Sequence, residues 1–96
     1  MLSAEELAKL DVLLEFTSTS CGVCRKMKPA VEMLLNENKH IHFAILNVDE
    51  DGVMDLADKY NVSTLPTFIH VNNGEIIGRT SGFKKLSDLK DFLKIG

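Results

Sequence analysis

Two cysteines, the only ones in the chain, stand as Cys21-Gly22-Val23-Cys24, between an apolar run that reads as a strand and one with helical periodicity. On a helix, residues i and i+3 share a face with Cβ atoms about 5–6 Å apart, so a small adjustment brings two such sulfurs into bonding range. The pair can open and close without unfolding its surroundings, which is what thiol–disulfide exchange requires. Cys21 would face the helix N-terminus, where unpaired N–H groups and the macrodipole favour an anion. Lowering a thiol pKa from about 8.5 to about 7 takes the thiolate fraction at neutral pH from about 3% to about half, a stabilisation of roughly 2 kcal/mol. Cys21 is therefore the expected nucleophile. Cys24, one turn further in, is expected to resolve a mixed disulfide by attacking Cys21.

Two other uses of the same cysteines compete. A structural staple is the weaker one, because closing a four-residue loop yields only about 2 kcal/mol against about 3 kcal/mol for a 15-residue loop. A Cys₂His₂ zinc site would need two of His40, His42 and His70, and the spacing after Cys24 is not that of a zinc finger.

The chain has 96 residues, 45% apolar and 26% charged, which reads as one globular domain over residues 1–96. A net charge of -3 with scattered basic residues argues against nucleic acid as a partner. Met1 to Leu10 has neither the basic nor the long apolar segment of an export signal, and no apolar run approaches the ~20 residues of a membrane span. The expectation is a cytoplasmic monomer, a setting in which cysteines rarely form structural disulfides.

The elements that must position the cysteines follow from periodicity. Ser3-Ala4-Glu5-Glu6 has capping-box form and predicts a short helix through about Lys9. Val12, Leu13, Leu14 and Phe16 predict a central strand covered on both faces. Met27, Ala30, Val31, Leu34 and Leu35 give a helix over about 22–38, with a kink expected at Pro29. Ile41 to Val48 is the next strand, and Val53, Leu56, Ala57 and Tyr60 line one stripe of a further helix. Thr67–Val71 and Glu75–Thr80 flank Asn72-Asn73-Gly74, a hairpin signal that makes the sheet mixed. Leu86, Leu89, Phe92 and Leu93 are the buried face of a last helix ending at Gly96. Met27, Met33 and Met54 are assigned to core faces, and Asp49, Glu50 and Asp51 to a helix N-terminus rather than a metal site.

A leading helix followed by β-α-β-α-β-β-α, with Cys-X-X-Cys at the first strand-to-helix junction, resembles the thioredoxin family. Phe16 lies in the strand where that family has an acid–Phe pair, Pro29 matches its helix proline, and Leu65-Pro66-Thr67 looks like its cis-proline segment. Asn72-Asn73-Gly74-Glu75 matches its hairpin and Gly82 the glycine before its last helix. The departures are local. Val23 replaces a proline, Thr17 and Ser20 occupy aromatic positions in a chain without Trp, and Ile45 stands where a lysine is common. Only Met1 and Leu2 precede the first helix, so the family's opening edge strand is expected to be missing, leaving an α/β thioredoxin fold of four strands and four helices.

The resemblance implies a protein-disulfide reductase that binds no cofactor and draws electrons from NADPH through a flavin-containing thioredoxin reductase. Glu15, six positions before Cys21, would be a buried acid beneath Cys24, its pKa raised by desolvation, carrying the proton to or from that thiol. The competing expectation is that its side chain bends out to water. Leu65 and Pro66 would present backbone to an extended substrate, while Gly82 and Phe83 would complete a small rim with Gly22 and Val23. The alternatives are a glutaredoxin-like reductant recharged by a small thiol, suggested by the missing strand and the non-proline motif, and a non-catalytic adaptor with a slow redox switch.

Overall fold

The computed structural model describes residues 10–94. The helix expected over Ser3 to Lys9 lies outside them. The described elements are β1 (Asp11–Thr17), α1 (Gly22–Glu37), β2 (His42–Asn47), α2 (Val53–Lys59), β3 (Thr67–Asn72), β4 (Glu75–Ser81) and α3 (Leu86–Leu93). Four strands form one sheet in the order β2-β1-β3-β4, with β1 parallel to β2 and antiparallel to β3, and β4 antiparallel to β3. The mixed four-stranded sheet with a central β1 is as expected. The described residues hold three helices.

Alternation along β1 sorts its side chains onto two cores. Leu13 joins Met27, Val31 and Leu34 of α1, Phe68 of β3, and Leu89 and Leu93 of α3 on one face. Phe16 joins Ala57 of α2 and Ile69 on the other, with Leu14, Val53, Leu56 and Tyr60 packed around them. A strand covered on both faces by different helices must be apolar at consecutive positions, which is the pattern at 12–16. Glu15 falls on the Leu13 side, facing α1. Truncating a fully buried member such as Phe68 to Ala should cost about 3–5 kcal/mol.

The turns do what their residues dictate. Asn73 (φ 53°) and Gly74 (φ 78°) both adopt positive φ, the two-residue hairpin geometry that Asn-Gly favours. Gly52 opens α2 at φ 83°, a region closed to most side chains. α1 runs on through Pro29 and closes at Asn38, whose side-chain amide donates to the Leu34 carbonyl.

Three expectations need correction. α3 ends at Leu93, where Lys94 takes a left-handed conformation (φ 58°) that terminates the helix, rather than at Gly96. Met33 and Met54 are exposed, not in the core. Met33 is two residues from Val31 and Met54 one residue from Val53, offsets of about 200° and 100° around a helix that turn each away from the buried stripe.

Candidate active site

β1 ends at Thr17 and delivers the chain through a three-residue loop to Cys21, the N-cap of α1. Cys21 holds extended backbone (φ -81°, ψ 101°) and its Sγ accepts from the Cys24 backbone N–H at 3.2 Å. One of the helix's unpaired donors is thus already aimed at this sulfur. No acidic side chain lies in the first turn to offset the positive end of the dipole. The two cysteines are joined by a disulfide, with Cα atoms 5.3 Å apart. Their surroundings differ: Cys21 is half-buried between exposed neighbours, whereas Cys24 is 6% exposed.

The loop before Cys21 is held by polar contacts. Arg25 Nη1 donates to the Thr19 carbonyl at 2.8 Å, Asn47 Nδ2 to Thr19 Oγ1 at 3.1 Å, and the Thr19 N–H to Asp49 Oδ2 at 2.9 Å. Residues at the end of β2 therefore fix the loop at the end of β1, its parallel neighbour. Sequence reasoning missed this clamp. It assigned Asp49 to a helix N-terminus, and the available signal was the parallel register that sets Thr17 beside Asn47.

Glu15 is 6% exposed and does not bend out to water. Among the described residues its carboxyl has no hydrogen-bond partner, and burial pushes its pKa from 4.5 up to about 7. It lines a cleft of about 260 Å³ together with Cys24. Val31 and Leu35 of α1 and Phe43 and Ile45 of β2 form the apolar walls, and Arg25, Lys28 and Glu32 also border the cleft. Ile45, paired in register with Glu15, is 59% exposed at the open side.

The second chain segment at this end of the sheet starts at a cis Leu65–Pro66 bond. The Pro66 carbonyl accepts from the Gly82 N–H at 3.0 Å, and Thr67 pairs with both Phe16 and Ser81, so Leu65, Pro66 and Gly82 sit beside the end of β1. Gly82 has φ 84°, turning β4 toward Phe83. Val23 (40% exposed) and Phe83 (53% exposed) present apolar side chains to solvent, with Gly22 also exposed.

The histidines lie elsewhere. His42 pairs with Val12 at the opposite end of the sheet, next to the exposed His40, and His70 contacts Asp11 (Nε2 to Oδ1, 3.2 Å). A side-chain hydrogen bond from Asn72 holds the Asp11 carboxyl below its usual range. Among the described residues no three His, Cys, Asp or Glu side chains converge on one point.

A disulfide-bonded Cys-X-X-Cys at a helix N-terminus, sharing a cleft with a buried acid and at the same end of the sheet as a cis proline, agrees with the comparison to known proteins. The family model described as Thioredoxin matches residues 4–95. The chain belongs to the thioredoxin family. Among its curated thioredoxin relatives, "Thioredoxin" of Echinococcus granulosus is 39% identical over 80 residues, covering 81% of this chain and 73% of that protein. "Thioredoxin H2" of Arabidopsis thaliana is 35% identical over 74 residues, 77% of this chain and 54% of the relative, so the chain spans about half of that protein's length. The crystal structure of oxidized thioredoxin O2 from Arabidopsis thaliana superposes with a TM-score of 0.81 at 27% identity, over 90% of this chain and 74% of that one. The thioredoxin fold expected from the sequence is the fold observed.

Proposed function

We propose that this thioredoxin-family chain is a protein-disulfide reductase working by dithiol exchange. The observation that carries the reading is the inequality of the two sulfurs, one at an open helix N-terminus and one enclosed above a carboxyl. In the reduced protein, the Cys21 thiolate attacks a substrate disulfide and expels one substrate thiolate, forming a mixed disulfide. Glu15 takes the Cys24 thiol proton, and Cys24 then attacks the Cys21 sulfur, releasing the second substrate thiolate and closing the observed bridge. The substrate gains two electrons and, after protonation, two thiols.

Extended segments of disulfide-containing proteins would bind along Leu65-Pro66 through backbone groups, with Gly22, Val23, Gly82 and Phe83 as a narrow apolar rim. The electrons would come from NADPH through a flavin-containing thioredoxin reductase, with no cofactor held by this chain. The proposal includes a single domain acting as a monomer in the cytoplasm. The family model, which matches residues 4–95, supports the single-domain part of this reading; none of the described helices is long and apolar enough to cross a membrane.

NADPH oxidation in the presence of a thioredoxin reductase and a protein disulfide tests the reading. Turnover is the expected result. Turnover only when a small thiol replaces the reductase would move the chain to the glutaredoxin-like class, and none by either route would leave the adaptor.

A further inference from the structure

The two outer strands of the sheet are built differently. β4 carries Glu75 and Arg79, has Gly78 at its middle and shifts register against β3 between His70 and Val71. Charges and irregular pairing are devices that keep an edge strand from pairing with another chain. β2 has neither: His42–Asn47 contains no Lys, Arg, Asp, Glu, Pro or Gly and keeps an unbroken register with β1. Among the described residues no strand pairs with its outer edge. The Val48 N–H donates to the Thr17 carbonyl, so alternation along the strand turns the N–H and C=O groups of Phe43, Ile45 and Asn47 away from β1. Ile45, the middle residue of those three, has 59% of its surface exposed. Exposed Lys39 and His40 precede the strand, and exposed Asp49, Glu50 and Asp51 follow it.

We propose that the β2 edge pairs antiparallel with the β2 edge of a second copy of this chain, the two Ile45 residues lying opposite each other at the two-fold axis. An isologous antiparallel pair has one residue opposite its own copy at that axis. Centring on Ile45 sets Phe43 opposite Asn47 on either side, so every outward-facing residue of both strands finds a partner. The two Ile45 side chains then stand on one face of the joined sheet with Cβ atoms about 4.5–5.5 Å apart and cover each other. Charge selects the direction. Antiparallel pairing brings Lys39 and His40 of one copy toward Glu50 and Asp51 of the other, whereas parallel pairing would gather like charges at both ends. Two short strands make a small interface, so the pair forms in concentrated solution and separates on dilution. Cys21, Cys24 and Glu15 come from one copy, so dithiol exchange stays a single-chain reaction, and the association goes beyond that reading.

Sedimentation velocity on the oxidised protein tests the pairing without covalent dimers, because its two cysteines are bonded to each other. The weight-average mass should rise from one chain toward two between about 10 µM and about 1 mM, the range of a weak, small interface. Over the same range, hydrogen exchange at the Ile45 and Asn47 amides should slow. Ile45→Lys, which sets two ammonium groups face to face, should weaken association by about tenfold or more. Lys39→Glu should weaken it too, and adding Asp51→Lys to that variant should restore part of the loss. Circular dichroism checks that each variant is folded, and the Lys39 and Asp51 exchange carries the test if Ile45→Lys is not. A mass of one chain throughout, association that Ile45→Lys leaves intact in a folded variant, or exchange slowing confined to β4 overturns the proposal. Turnover of a protein disulfide at micromolar concentration reports on the dithiol-exchange reading separately, and its loss would leave the pairing standing.

Discussion

The two ends of one short helical turn differ more than their separation of three residues would suggest. Cys21 stands at the boundary with solvent, flanked by exposed Gly22 and Val23, its sulfur already accepting a backbone N–H. Cys24 is enclosed by α1, β1 and β2 above a desolvated carboxyl. The difference teaches how one fold separates attack from release. An anion is favoured where donors and the dipole converge, and withheld where a proton must first be removed by a neighbour.

Removing one side of this comparison gives the largest effect. Cys24→Ser should abolish multiple turnover and leave Cys21 covalently attached to disulfide substrates, visible by mass spectrometry as a stable adduct. Cys21→Ser should give neither turnover nor adduct. Adduct formation of equal yield in both variants would erase the distinction between the sulfurs.

Glu15→Gln sharpens the buried side. It should slow release of substrate from Cys21 by about a hundredfold while changing the first attack little, as general-base contributions of this kind run from 10² upward. The same residue shapes stability against pH. Burial raises its pKa from 4.5 to about 7, so the folded state prefers the neutral acid. The native state is unpenalised below pH 4.5 and loses stability as pH rises through 7, by on the order of 2–3 kcal/mol. Measured by urea unfolding, the stability difference between Glu15→Gln and the parent should shift in the variant's favour by that amount between pH 4 and pH 9. A pH-independent difference would place the carboxyl in water.

The exposed side gives the smallest effect. Phe83→Ala should raise KM for protein disulfides about threefold and change unfolding free energy by less than about 0.5 kcal/mol, since the ring is mostly in solvent. Steady-state kinetics and a denaturant titration check both, and a larger stability change would mean the ring packs rather than binds.

How much of this was legible in the sequence follows from the range of each interaction. The cysteine pair, the Asn73-Gly74 turn and the apolar stripes of α1 and α3 are local patterns, set by helical or strand periods and by backbone conformations few residues adopt. The cis-proline segment was legible only through family resemblance. The direction of Glu15 was not fixed by pattern, because a strand covered on both faces offers no polar side to calibrate the alternation. The Thr19 clamp joins residues 28 and 30 positions apart and depends on which strand neighbours β1, a tertiary fact. The cleft is likewise built jointly by α1 and β2, and Ile45 as a lone sequence departure does not reveal the opening beside it.

The inequality of the two thiols is tested most directly by alkylating the reduced protein with iodoacetamide across pH 5–10 and following each cysteine by peptide mass. The account predicts rapid modification of Cys21 with a midpoint below the ordinary ~8.5 of a free thiol, because the helix N-terminus favours its anion, and slow modification of Cys24 throughout. Matching profiles for the two cysteines, or a Cys21 midpoint at or above that of a free thiol, would contradict it.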